Sequence, residues 1–278
     1  MPTARETVNP VKYDPVKNML AAKIRHSPLL RKLFYKALGL LFLREWYVKR
    51  AVRLAFPDPS RPLSVLDAGA GFGQYSYFCA RRYPHAGVLA VEINPDHVRD
   101  GNTFAQRTGM TRIRFHEADI TALDLENEFD LVMNVDVMEH IEQDVSALVC
   151  LSRSLKPGGK LILSTPAATR SHQEDGDFVG EHFRNGYTAG DIRQKLADAG
   201  FSSVAILYGY GFWGDMAWRL GIRNAMRLAG CGWIGKMAAV LYLSLLLPLV
   251  LILMGCDFLW KNKSGTSLLV TAVKASGS

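Results

Sequence analysis

Short apolar runs alternate with amphipathic segments from residue 63 to residue 208, and this alternation limits the fold more than any other feature. Continuous apolar runs, in which apolar and polar residues do not alternate, are typical of parallel strands that helices cover on both faces. The sequence therefore predicts a doubly wound α/β sheet. Strands are expected at 63–67, 87–92, 112–117, 129–135, 160–164 and 201–208, a turn at 156–159, and helices near 74–83, 95–107, 140–155 and 188–199.

The first predicted strand runs into an aspartate and then into glycines at every second position, as VLDAGAGFG over 65–73. Glycines let a backbone turn tightly and approach a ligand closely. The dinucleotide fingerprint GxGxxG does not fit, because Gln74 stands where its last glycine would be.

This segment resembles the first motif of class I S-adenosylmethionine-dependent methyltransferases. Residues 118–120, 129–132 and 155–161, together with Glu92, are similar to later motifs of that family. The resemblance covers about 60–208 plus 267–274. It implies a Rossmann-like, mostly parallel seven-stranded sheet whose last strand, at 267–274, is antiparallel.

The resemblance also implies S-adenosyl-L-methionine as cofactor. Glu92 would accept both ribose hydroxyls and Asp119 would face the adenine amino group. The full set of implied cofactor residues is Asp67, Gly69, Ala70, Gly71, Gly73, Glu92, Ile93, Asp119, Ile120 and Asn134.

The segment 134–141 follows the fourth strand at the sheet edge where ligands bind, and it resembles the family's D-x-x-E-H segment. If 136–140 begins a helix, Asp136, Glu139 and His140 share one face. We expect His140 to act as a general base that Glu139 or Asp136 orients, with Asp136 and His182 of the polar loop at 170–187 as further catalytic residues and no bound metal. A divalent cation held by these groups and a purely structural role are the alternatives.

Charge is distributed unevenly along the chain. Residues 1–56 hold 12 Lys+Arg and 3 Asp+Glu, residues 57–212 hold 14 and 21, and residues 213–263 hold 6 and 2. A nucleic-acid binder is not expected to have an acidic middle between two basic, apolar-rich arms. The pattern favours an anionic membrane surface as partner. The four cysteines form no CxxC pair, and residues 1–16 lack the apolar core of a secretory signal, so a reducing, cytoplasmic location is expected.

Residues 237–256 carry no charge and are long enough to span a bilayer. Because strands are expected on both sides of this insert, a single crossing would separate the last strand from its sheet. We expect residues 213–230 and 233–259 to form a helical hairpin that lies in the membrane interface. Pro248 is expected to kink the second helix. Two full crossings and a hydrophobic dimer interface are the alternatives.

The predicted organisation is a basic helical arm (1–56, with a break near Gly39), a methyltransferase core (57–212), an apolar insert (213–263), and a last strand with a tail (264–278). We expect methyl transfer to a lipid-like acceptor, such as an isoprenoid, a quinone precursor or a lipid head group, at the cytoplasmic face of a membrane. The alternatives are a soluble small-molecule methyltransferase that dimerises through the insert, and a non-catalytic cofactor-binding partner protein.

Overall fold

A computed structural model describes residues 27–168 and 183–275. Within these ranges one seven-stranded sheet has the order β3-β2-β1-β4-β5-β7-β6, and β7 runs antiparallel to both its neighbours. This confirms the predicted fold. The strands are β1 (Ser64–Ala68), β2 (Gly87–Glu92), β3 (Ile113–Glu117), β4 (Phe129–Val135), β5 (Leu155–Pro166), β6 (Phe201–Gly209) and β7 (Ser267–Lys274).

Helices cover both faces of the sheet. One apolar core contains side chains of α2 (Leu43–Ala55), α3 (Gln74–Arg82) and α4 (Pro95–Arg107). The opposite core contains those of α5 (Asp144–Ser154) and α6 (Ala189–Asp198). The first helix, α1 (Pro28–Leu41), begins with a Ser27 cap and reaches the glycine loop.

The insert leaves and rejoins the sheet at one edge. It consists of α7 (Phe212–Trp218), a π-helical turn (Arg219–Arg223), α8 (Asn224–Ala229) and α9 (Gly232–Leu259). The Thr266 N–H donates to the Tyr210 carbonyl at 3.1 Å, which closes the neck between β6 and β7. Since β6 runs parallel to β5 and β4, this neck lies at the ligand-binding edge.

Helix α9 has two apolar faces with different surroundings. One face packs on the protein through Gly235, Ala239, Val250, Leu253, Met254 and Asp257. The other is exposed at Trp233, Met237, Val240, Leu241, Leu245 and Ile252. Within the described part of the chain, α9 alone is long and apolar enough to cross a membrane.

A buried carboxylate fastens α9 to the core. Asp257 accepts hydrogen bonds from the Tyr47 hydroxyl at 2.9 Å and from the Gly214 N–H at 3.0 Å. Arg50 of α2 also donates to the Phe258 carbonyl at 2.8 Å and stacks on the Phe258 ring. The long helix is therefore attached to the domain along one side.

Several local predictions were wrong. The break in the arm lies at Phe42 and not at Gly39, because Phe42 adopts an extended backbone there. Residues 156–159 belong to β5 and not to a turn. Gly159 allows close approach to β4, since a Cβ would lie 3.0 Å from the Phe129 carbonyl oxygen. The predicted helix at 213–230 is divided by the π turn.

Candidate functional site

The three glycines of the loop between β1 and α3 all have positive φ: +81° at Gly69, +51° at Gly71 and +74° at Gly73. A Cβ on Gly69 would lie 2.4 Å from a Val137 methyl, and one on Gly73 would lie 2.4 Å from the Phe115 ring. Among the described residues, nothing lies within 4 Å of a Cβ placed on Gly71. The outer glycines are therefore needed for packing, and Gly71 faces open space.

Glu92, at the end of β2, faces the same loop. Its carboxylate accepts hydrogen bonds from the Gly71 N–H at 2.8 Å and from the Asn94 N–H at 3.0 Å. Glu92 is buried, whereas the apolar side chain of Ile93 beside it is 54% exposed. The pair places a fixed anionic acceptor and an apolar surface next to the open side of the loop.

Asp67, at the end of β1, connects this strand to the start of α3. Its buried carboxylate accepts from the Ser76 N–H at 2.9 Å and the Ser76 hydroxyl at 2.6 Å, near the start of α3. Burial raises the pKa of Asp67 from 3.8 to about 6. Its contacts fix the geometry of the glycine loop relative to α3.

The remaining cofactor candidates follow β1 and β3 or lie near the end of β4. The Ala70 N–H donates to the Val91 carbonyl at 2.9 Å, and Ile120 is buried. The Asp119 carboxylate accepts hydrogen bonds from the backbone N–H and from the hydroxyl of Thr121, each at 2.8 Å. The buried Asn134 amide donates to the Ala68 carbonyl at 3.0 Å, and its Oδ1 has no hydrogen-bond partner within the described structure.

These residues fit S-adenosylmethionine. The open side of Gly71 admits a ligand close to backbone, and the Glu92 carboxylate suits the two hydroxyls of a ribose. The exposed face of Ile93 suits an apolar ring, and the unpartnered oxygen of Asn134 is a buried acceptor near the same strand ends.

The candidate acceptor side begins at Asp136, which follows β4 with φ +52°. Its carboxylate forms an ion pair with Arg44 of α2 and accepts from the Ser164 hydroxyl at 3.2 Å. Residues 138–140 form a single 3-10 turn and not the start of an α-helix. The shared helical face expected for Asp136, Glu139 and His140 is therefore not formed.

Glu139 and His140 consequently have different surroundings. Glu139 is buried and accepts from the Thr165 hydroxyl at 3.1 Å, and burial raises the pKa of its carboxyl. His140 is exposed at the end of the turn. The site therefore has an exposed imidazole, that of His140, next in sequence to the buried carboxyl group of Glu139.

Residues 183–187 return from the polar loop and pack on this turn. Arg184 pairs with the buried Asp144 and donates to the Ile141 and Glu142 carbonyls at 2.8 and 2.9 Å. Tyr187 donates to Asp144 at 2.8 Å. His182 lies outside the described residues, and so does most of the loop predicted at 170–187.

Sequence reasoning missed a polar cluster at the start of α2. Arg44 donates its backbone N–H to the Tyr210 hydroxyl at 3.2 Å, and the side chains of Arg44 and Glu45 lie near the buried Tyr75. Burial raises the pKa of the Tyr75 hydroxyl. Glu45 forms an ion pair with Lys49 at 2.7 Å. In the sequence this cluster is marked only by Glu45, the single acidic residue between positions 17 and 56.

Across residues 27–168 and 183–275, no group of three or more His, Cys, Asp or Glu side chains is arranged to hold a metal ion. The described contacts of Asp136 are instead with Arg44 and Ser164.

Comparisons with known proteins show the family to which this chain belongs. A family model described as "Methyltransferase domain" matches residues 59–200, just over half of the chain. Ubiquinone biosynthesis O-methyltransferase of Roseobacter denitrificans is 33% identical over 113 residues, which are 40% of this chain and 44% of that protein. Trans-aconitate 2-methyltransferase of Methylobacterium nodulans is 30% identical over 105 residues, 38% of this chain and 39% of that protein.

The chain thus spans less than half the length of these curated relatives. Among solved structures, phosphoethanolamine N-methyltransferase 2 of Haemonchus contortus, in complex with S-adenosyl-L-methionine, superposes with a TM-score of 0.60. That match has 16% identity and covers 95% of this chain and 61% of the other, so it supports the fold. The chain belongs to the methyltransferase domain family, among the class I members that use S-adenosylmethionine.

Proposed function

We propose that this chain transfers the methyl group of S-adenosylmethionine to a lipid-like acceptor at a membrane surface. The observation that carries this proposal is the position of the apolar insert. Its neck, at Tyr210 and Thr266, lies at the sheet edge that also bears the glycine loop and Asp136. An exposed apolar helix face is thus attached beside the candidate acceptor site.

Direct contacts connect the insert to the site. The Phe42 ring lies 6.4 Å from the Trp218 ring of α7. Leu43, Tyr210, Val250 and Met254 line a small apolar cavity between α2 and the insert. Tyr210 also accepts a hydrogen bond from Arg44, which pairs with Asp136. The polar contacts at Asp136 and Arg44 suit the polar head of an acceptor, and the apolar residues of the cavity and the insert suit its apolar tail.

The chain's own residues bind and orient the reactants. Bound S-adenosylmethionine supplies an electrophilic sulfonium methyl group, so the protein contributes mainly positioning and exclusion of water. Glu92 orients the ribose through the carboxylate that Gly71 and Asn94 hold in place. The proposed adenine contacts are Ile93, Asp119 and Ile120, and Asn134 completes the floor of the site.

For a hydroxyl acceptor, His140 is the proposed general base because it is exposed beside the carboxyl end of β4. Glu139, the preceding residue, interacts electrostatically with His140, and Asp136 is held in an ion pair with Arg44. The sequence-based expectation for His182 at this site remains a proposal, since that residue lies outside the described ranges.

The relatives support an acceptor of this class. The name of one relative, ubiquinone biosynthesis O-methyltransferase, refers to a pathway whose product carries an isoprenoid tail. Basic residues of the N-terminal arm and the insert suit the anionic cytoplasmic face of a membrane. The arm, core, insert and last strand then act as one enzyme with the boundaries that the sequence predicts.

A soluble enzyme is the second candidate, because trans-aconitate, named for another relative, is a small polar acid. The exposed face of α9 would then pair with a second copy of the chain. That alternative predicts a stable dimer in the absence of lipid.

Vesicle flotation with the full chain tests the proposal. We expect the protein to float with phosphatidylcholine–phosphatidylglycerol vesicles. Replacing 213–263 by a short Gly/Ser linker is expected to make the remaining binding reversible by salt, because apolar burial is then lost. A parent protein that stays in the soluble fraction and scatters light as a dimer would favour the soluble candidate.

A further inference from the structure

Helix α1 contacts the cofactor loop directly. Arg31, which is 4% exposed, donates from its guanidinium to the Phe72 carbonyl at 2.6 Å and to the Asp100 carbonyl of α4 at 2.9 Å. The Tyr35 hydroxyl also donates to the Phe72 carbonyl and accepts from the Arg31 Nε at 2.6 Å. Phe72 stands between Gly71 and Gly73, so α1 fixes the backbone at the centre of the loop.

Aromatic rings strengthen this contact. The Phe72 ring lies 6.0 Å from Phe34 of α1 and 4.9 Å from His97 of α4. The Arg31 guanidinium lies 4.6 Å from the centre of the Phe104 ring. Charge-assisted hydrogen bonds of a buried arginine are among the stronger ones in proteins, so loss of α1 would release the loop.

The outer side of the same helix is apolar and basic. Leu29, Leu33 and Leu40 lie on one face and are 66%, 50% and 42% exposed. Lys36 is exposed on this face as well. An apolar stripe with lysine beside it is typical of helices that lie in the surface of an anionic bilayer.

The helix that carries this stripe ends at the apolar insert. At the end of α1, Leu41 lines the same cavity as Trp218, Ile222 and Val250 of the insert. Phe42, the next residue, packs against Trp218. The end of α1 therefore packs against the insert, and the exposed stripe of α1 lies on the helix that precedes this contact.

We propose that α1 is a docking surface for an anionic bilayer whose inner side holds the cofactor loop, so that docking tightens cofactor binding. The inference rests on the proposed membrane function and adds its regulation. Docking stabilises α1 in the position that orders Phe72. The glycine loop then loses less conformational entropy when the cofactor binds, so the cofactor binds more tightly. By linkage, the cofactor strengthens membrane binding by the same factor.

Isothermal titration with S-adenosylhomocysteine tests this coupling. The full chain is titrated in buffer, with phosphatidylcholine vesicles, and with phosphatidylcholine–phosphatidylglycerol vesicles. We expect the anionic vesicles to tighten binding by about fivefold or more, the lower end of ordinary allosteric coupling. Flotation of each sample is measured in parallel.

Variants separate the two sides of α1. The double variant Leu29→Ser/Leu33→Ser is expected to keep the affinity in buffer and to lose the gain, while α9 still floats the protein. The matched control Val145→Ser/Val149→Ser changes two exposed residues of α5, on the other face of the sheet, and is expected to keep the gain. Tyr35→Phe removes one hydroxyl that donates to Phe72, and it is expected to float normally with a smaller gain.

Three outcomes would overturn the inference. A parent that floats but binds S-adenosylhomocysteine equally well with and without vesicles refutes the coupling and leaves the proposed membrane function standing. A parent that does not float refutes both. A dimer in solution that Leu29→Ser/Leu33→Ser dissociates would assign the outer face of α1 to a second copy of the chain.

Discussion

Arg44, at the start of α2, forms an ion pair with Asp136, which follows β4 and lies 92 positions later in the chain. The pair joins the N-terminal arm to the acceptor side of the candidate site. The same helix binds the insert through Tyr47 and Asp257. The arm, the site and the insert are therefore connected through one helix.

Arg44→Gln is expected to raise the acceptor KM or to lower turnover several-fold, because Asp136 loses its cationic partner. Affinity for S-adenosylhomocysteine should stay unchanged, since the polar contacts described for Arg44 are with Asp136, Tyr75 and Tyr210 and not with residues 69–73. Calorimetry and a methyl-transfer assay measure the two quantities. Arg53→Gln, on the exposed side of the same helix, is the control. Equal losses of cofactor affinity and turnover would refute the assignment of Arg44 to the acceptor side.

Gly71→Ala is expected to weaken S-adenosylhomocysteine binding strongly, because its methyl group enters the open space beside the loop. Gly109→Ala is a matched control: Gly109 also has positive φ and open surroundings, but it lies beyond α4. The two variants should lose similar stability and differ in affinity. Similar affinities in both would show that the ligand does not approach Gly71.

Glu92→Ala removes the acceptor of the Gly71 and Asn94 N–H groups as well as the proposed ribose contact. A hydrogen bond to a charged group contributes about 1.5–3 kcal/mol, so cofactor affinity should fall by roughly 10- to 100-fold. Calorimetry on the folded variant measures this loss. A folded Glu92→Ala protein with parental affinity would contradict the ribose assignment.

His140→Ala is expected to lower turnover by about 10²–10⁴-fold while cofactor affinity changes little, if the acceptor must lose a proton. His85→Ala, at an exposed position before β2, serves as the control. Single-turnover rates with labelled cofactor measure the effect. Parental turnover in His140→Ala would leave this imidazole with a structural role only.

Asp67 predicts an effect of pH on stability. Burial raises the pKa of Asp67 from 3.8 to about 6 on folding. Between about pH 4 and pH 6 the folded state therefore binds the proton more tightly than the unfolded state does. Its ionised form therefore opposes folding above about pH 6, by at most about 3 kcal/mol at 1.36 kcal/mol per pKa unit. Asp67→Asn should have an equal or higher Tm than the parent at neutral pH, and this advantage should disappear as the pH falls toward 4.

Thermal unfolding across that pH range checks the prediction, with Asp124→Asn, at an exposed carboxylate, as control. A Tm of Asp67→Asn that lies below the parent value by the same amount at every pH would contradict it. The stabilisation by the hydrogen bonds from Ser76 would then need the carboxyl group but not its charge.

The parts of the fold that depend on local pattern were predictable. The last strand at 267–274 and the strand at 129–135 have the predicted bounds, because apolar runs between turn residues specify buried strands. The break at Phe42 was not, since Phe42 is neither glycine nor proline and no turn signal marks it in the sequence. Gly39 stays helical, and the Trp46 indole donates to its carbonyl at 2.7 Å.

The candidate site shows the same division. The glycine loop and Glu92 are local motifs, and the structure brings them together. The contacts of Arg44 with Asp136 and of Arg31 with Phe72 join segments far apart in sequence, and no periodicity encodes them. The segment after Asp136 forms a 3-10 turn because the positive φ at Asp136 redirects the chain before a helix can begin.

Methylation of a lipid-like acceptor is the activity proposed for this family member. The most direct measurement incubates the full chain with methyl-labelled S-adenosylmethionine and a membrane lipid extract, and then separates organic and aqueous phases. We predict label in an organic-phase product with the parent protein and none with Gly71→Ala. Label found only in aqueous products, with the same dependence on Gly71, would contradict the claim.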